Sequence, residues 1–86
     1  MNNLYVKSLA KELTADELRR AFARYGKISS FNLVNKPEYS TNIAFVGFVY
    51  PDNAKAALEN VLSEANLGKF EVYWHRAKSE LRNDLI

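Results

Sequence analysis

The 86-residue chain contains no cysteine. That excludes a disulfide scaffold, a thiolate zinc site and a cysteine nucleophile, and it is compatible with a reducing compartment. The single histidine, His75, has no partner with which to form a metal cluster and reads as a surface side chain. Three scattered glycines do not make a phosphate-cradling loop. No apolar run approaches the roughly 20 residues of a membrane-spanning helix, and no signal-peptide pattern opens the chain. No carboxylate pair or nucleophile–base set stands out, so the chain is not expected to be an enzyme or to hold a metal or cofactor.

What is present fits a globular protein. A composition 48% hydrophobic and 26% charged separates the chain from disordered, charge-rich tails. Its length allows one core. The net charge of +2 is too small to specify a partner, so charge placement matters more. A strand begins almost at Met1 and the chain ends in a polar segment. This suggests a domain at residues 1–78 taken from a longer protein, followed by a tail or linker at 79–86.

Periodicity supplies the elements. Leu4-Tyr5-Val6-Lys7 alternates and reads as a strand. Thr14 and Glu17 have the spacing of a capping box, and Asp16 and Glu17 suit the positive end of a helix dipole. Leu18, Ala21, Phe22 and Tyr25 then recur at helical spacing until Gly26, expected in a left-handed conformation. Ile28–Val34 and Ile43–Val49 read as strands joined by a polar loop containing Pro37. Pro51 and Asp52 open a second helix, with Ala54, Ala57, Leu58, Val61 and Leu62 as its buried stripe. Asn66 and Gly68 end it, and Lys69–His75 reads as the fourth strand, with Trp74 in the packing register of Val72.

The order βαββαβ predicts an α+β, ferredoxin-like sandwich. Right-handed crossovers favour a four-stranded antiparallel sheet of order 4-1-3-2, with both helices on one face. Leu4, Val6, Phe31, Leu33, Ala44, Val46, Phe48 and Val72 then point toward the helices. Tyr5, Lys7, Asn32, Ile43, Phe45 and Tyr73 are left on the bare face. Rings on both central strands make a platform for unpaired bases, each stacked base contributing roughly 1–3 kcal/mol. Lys7 and Asn32 are suited to base edges, and Arg76 and Lys78 to phosphate. Acidic Asp16, Glu17, Asp52, Glu59 and Glu64 fall on the helices, away from that face, whereas Glu71 falls on it.

Leu4-Tyr5-Val6-Lys7-Ser8-Leu9 resembles the hexamer of the RNA-recognition-motif family, and Thr41-Asn42-Ile43-Ala44-Phe45-Val46-Gly47-Phe48 resembles its octamer. The resemblance covers nearly the whole chain. It implies single-stranded RNA as ligand and assigns the stacking positions to Tyr5, Ile43 and Phe45. Three positions depart from the pattern: Thr41 replaces a basic residue, Ile43 an aromatic one and Ser8 an asparagine. One phosphate contact and one π-face are expected to be missing as a result. The segment from Val72 through Arg82 is similar to the closing segment of RNA-recognition motifs in cytoplasmic polyadenylate-binding proteins. That narrower resemblance implies adenine-rich RNA, neighbouring motifs or translation-related proteins as partners, and a location in the cytoplasm or in both cytoplasm and nucleus.

Two other classes compete. The weakened octamer admits a protein-interaction domain whose open face takes a peptide. Small phosphatases share the topology, but topology carries no activity and no anion cradle is present. Leu81, Leu85 and Ile86 would cover the sheet, dock a neighbour or fray.

Overall fold

The computed structural model describes residues 1–75. The expected domain end at residue 78, the tail at 79–86 and the candidate residues Arg76 and Lys78 lie outside the described residues. Six elements follow in the expected order: β1 (Asn3–Leu9), α1 (Ala15–Ala23), β2 (Ile28–Val34), β3 (Asn42–Phe48), α2 (Pro51–Glu64) and β4 (Glu71–Trp74). The sheet runs β2-β3-β1-β4, the predicted order read from the other edge. All three neighbouring pairs are antiparallel.

Alternation explains the layering. Leu4, Val6, Ala44, Val46 and Phe48 are buried from the sheet side, and Leu18, Phe22, Ala54, Ala57 and Val61 are buried from the helices. Phe70 and Val72 close the core, with Phe31, Leu33 and Trp74 packed at its margin. Burial of each large apolar side chain contributes about 1.5–3 kcal/mol.

Local chemistry fixes the helix starts. At Thr14 the capping box forms: the Glu17 N–H donates to Thr14 Oγ1 at 3.2 Å, and the Thr14 N–H donates to Glu17 Oε1 at 3.1 Å. These bonds to the charged form, the backbone bond first, hold the Glu17 carboxyl below its ordinary range. Helix α2 starts instead from Pro51 in the first turn, with no side-chain cap from Tyr50.

Five expectations need correction. The fourth strand, read as Lys69–His75, forms only over Glu71–Trp74, two residues later than expected after the positive-φ turn at Gly68. Helix α1 ends at Ala23 with Arg24 as its cap, so Gly26 lies two residues beyond the cap. Its φ of +153° is positive but far from the left-handed helical well. A side chain there would also overlap Asn53, coming 2.7 Å from its Cβ. Leu62 is half exposed rather than buried. It lies about 100° further round the helix than Val61, at the edge of the buried stripe. Strand β3 ends at Phe48, leaving Val49 exposed outside it. Strand β1 continues past Lys7 to Leu9 through an irregularity in its pairing with β3 between Val6 and Leu9. Ser8 sits in that bulge with φ +63°.

Candidate nucleic-acid interface

The register aligns the bare face into rows. Asn32 lies opposite Phe45, Phe45 opposite Tyr5, and Tyr5 opposite Tyr73. One amide and three rings therefore cross the sheet in a line. The Tyr5 and Phe45 rings stack with centroids 5.5 Å apart and planes 29° apart, and Tyr5 and Tyr73 stack at 6.5 Å and 28°. Tyr5 and Phe45 are partly exposed, and Tyr73 and Asn32 are exposed. None lies beneath a helix.

His75 adds a ring from the adjoining row, opposite Asn3. Its N–H donates to the Asn3 carbonyl at 2.9 Å, prolonging the β1–β4 ladder one residue beyond β4. Its ring approaches Phe45 to 4.9 Å at a 59° tilt. Sequence reasoning had treated this residue as an ordinary surface histidine. The available signal was its register, which it shares with Tyr73. In that row Gly47 is buried and has no room for a side chain, because a Cβ would overlap Ser30 Oγ and come 2.6 Å from Asn3 Oδ1. The face thus presents four rings, Tyr73, Tyr5, Phe45 and His75.

The neighbouring row is charged. Lys7 lies opposite Glu71, and Ile43 opposite Val34. The Lys7 ammonium stands 5.9 Å from the centre of the Tyr73 ring, a favourable cation–π placement. Glu71 is held at the face by two donors: the Tyr73 hydroxyl donates to Oε1, and the Ser8 hydroxyl donates to Oε2 at 2.9 Å. Those bonds, Tyr73 first and Ser8 second, favour the carboxylate and lower its pKa. The same bond raises the Tyr73 phenol. The carboxylate is therefore an acceptor fixed beside the rings, and it repels phosphate from that edge.

Comparison with known proteins agrees with this geometry. Residues 4–72 match the RNA recognition motif family. The chain belongs to that family. It is 39% identical to polyadenylate-binding protein 5 of Arabidopsis thaliana over 79 residues, 91% of this chain and 11% of that protein. It is 40% identical to polyadenylate-binding protein 2 of the same plant over 86 residues, 96% of this chain and 14% of that protein. The crystal structure of the first two RRM domains of the yeast poly(U)-binding protein Pub1 superposes with a TM-score of 0.79 at 25% identity, covering 88% of this chain and 47% of that one. The RRM described here thus spans a small part of its plant relatives.

The structure brings Tyr5, Lys7, Asn32, Ile43, Phe45 and Tyr73 to one face of the RRM, as their parity predicts. Ile43 is half-buried and offers an aliphatic surface where the family pattern usually has a ring, as the sequence implies. Sequence reasoning passed over Ser8, Tyr39 and Asn3 as members of this surface. Tyr39 carries no periodic signal because it sits in the β2–β3 loop.

Proposed function

We propose that this RRM binds single-stranded RNA across its open face. Bases stack on Phe45, Tyr5 and Tyr73, with His75 extending the platform and Asn32 reading a base edge. Lys7 meets a phosphate at the strand's margin, and Ile43 packs against a ribose or base without a π-face. The unbroken line of rings, uncovered by either helix, carries this reading. Base–ring stacking is sequence-tolerant, so base preference rests on polar groups around the rings. The resemblance to polyadenylate-binding proteins supports adenine-rich RNA as ligand and a role as one module of a larger protein. A peptide ligand is the second reading, favoured by the Glu71 carboxylate on the same face.

Fluorescence anisotropy with labelled oligoadenylate, oligouridylate and oligocytidylate at two salt concentrations tests the proposal. Saturable binding with adenine preferred is expected, and each contacted phosphate adds about −0.7 to the slope of log affinity against log salt. Amide shifts should centre on Tyr5, Phe45, Tyr73 and His75. RNA that leaves those amides unmoved, while a peptide shifts them, would establish the second reading instead.

A further inference from the structure

The two edges of the open sheet, β2 and β4, are unlike. An edge strand presents a row of unpaired N–H and C=O groups, and proteins guard such edges with short strands, charges, prolines or bulges. Strand β4 is guarded: it has four residues and carries Glu71. Strand β2 has seven residues, Ile28-Ser29-Ser30-Phe31-Asn32-Leu33-Val34, and none is charged or proline. Its one irregularity lies between Ile28 and Ser30, so Ser30–Val34 pairs with β3 in regular register. Among the described residues, no hydrogen bond from a loop, helix or side chain reaches the backbone of Ser30–Val34. The Lys11 ammonium stops just beyond the strand, donating to Asn35 Oδ1 and the Lys36 carbonyl.

The side chains of this segment are also incompletely covered. Phe31 and Leu33 pack at the margin of the core, yet both are only partly buried, because their outer flanks lie past the last strand. Ser30, Asn32 and Val34 alternate with them on the open face. The segment is complementary to itself. A half-rotation about an axis through Asn32 sets Phe31 of one copy opposite Leu33 of the other, Ser30 opposite Val34, and Asn32 opposite Asn32. Each residue then meets one of its own face. No like charges come opposite one another, an arrangement that would oppose pairing, and Lys27 and Lys36 lie outside the segment.

We infer that the outer edge of β2 is a self-association site, joining two copies of this chain antiparallel into one continuous sheet with Asn32 at the two-fold axis. The inference goes beyond RNA binding and stands independently of it. A second copy is favoured over a foreign strand because the same residues satisfy the register from both sides, and an uncharged edge offers nothing to select a charged partner. Pairing β2 with β2 uses the unguarded edge of each copy, so the assembly closes at two. Both open faces then lie on one side of the joined sheet. A single strand pair falls below the roughly 1,200 Å² at which stable interfaces begin, so association is weak and concentration-dependent.

Sedimentation velocity over a concentration series tests this on the parent chain, on Asn32→Lys, on Asn32→Asp and on an equimolar mixture of the two variants. Asn32 is exposed, and thermal melts verify that each variant folds. The readout is mass rather than RNA affinity, because Asn32 also belongs to the proposed RNA surface. The parent's weight-average mass should rise from one chain toward two. Like charges at the axis should raise the dimer dissociation constant about tenfold or more in either variant alone. The mixture, which sets an ammonium opposite a carboxylate, should recover the dimer. Amide shifts on concentrating the parent should centre on Ser30–Val34. A parent that stays monomeric at every concentration overturns the inference. So does a parent whose association is unchanged in both variants, since the contact then lies elsewhere. Growth beyond two copies refutes closure through β2.

Discussion

Tyr5 is the middle ring of the open face, touching Phe45 at 5.5 Å and Tyr73 at 6.5 Å. Replacing it by leucine keeps an apolar side chain on a central strand but removes the flat surface. One lost base stack costs about 1–3 kcal/mol, and each 1.4 kcal/mol is about tenfold in affinity. Tyr5→Leu should therefore raise the Kd for oligoadenylate by about 5- to 150-fold, and Phe45→Leu should do the same. The pair is not expected to be independent. With Tyr5 gone, Phe45 loses the neighbour that holds its plane, and part of its contribution is already spent. The double variant should fall short of the summed losses by about 0.5–3 kcal/mol, the usual range for touching residues. Anisotropy titrations of the four proteins measure this coupling, with thermal melts to show that each is folded. Folded single variants that bind within twofold of the parent would refute the stacking mechanism. Strictly additive losses would refute the claim that the rings act as one surface.

Gly26→Ala combines a strained backbone with overlap at Asn53, so it should cost at least about 1–3 kcal/mol. In a domain of this size each kcal/mol lowers Tm by about 4–8 °C, and calorimetry would read the shift. Glu71 has a folded-state pKa below its ordinary 4.5, so its stabilisation is full above that value and disappears as pH falls through the depressed pKa. Urea unfolding at about pH 6 and about pH 3.5 should show a smaller acid loss in Glu71→Gln than in the parent; an identical loss would contradict the Ser8 and Tyr73 contacts. Tyr25 is pushed up to about 12, chiefly by burial and then by donating to Glu64. Its contribution is therefore present below the ordinary value of 10 and lost as pH rises toward 12. Alkaline titration followed by tyrosinate absorbance should lose one late-titrating phenol, that near 12, in Tyr25→Phe.

Parity along each strand made most of the fold and the ring row legible. Leu4 and Val6 alternate with Tyr5 and Lys7, and Phe45 sits between Ala44 and Val46, so the face of each ring follows from a period of two. His75 was legible in the same way, because it continues the register of Tyr73 beyond the end of β4. The bulge left a subtler trace. Leu4 and Val6 are buried at even positions, whereas Leu9 is buried at an odd one. A flat strand cannot bury both sets on one side, so one residue must be inserted between them. Ser8 is where the insertion falls, and its positive φ sets it to bond Glu71 on the open face. Asn42 shares the core-facing parity of Ala44 and Val46, but its polarity argues against burial. A polar residue at the start of a strand reads as exposed, yet Asn42 is fully buried opposite Leu9, and neither its Nδ2 nor its Oδ1 has a partner among the described residues. Its burial depends on where the bulge places Leu9 across the β1–β3 pair. A contact set by a register shift more than thirty residues away in the chain has no local signature to read.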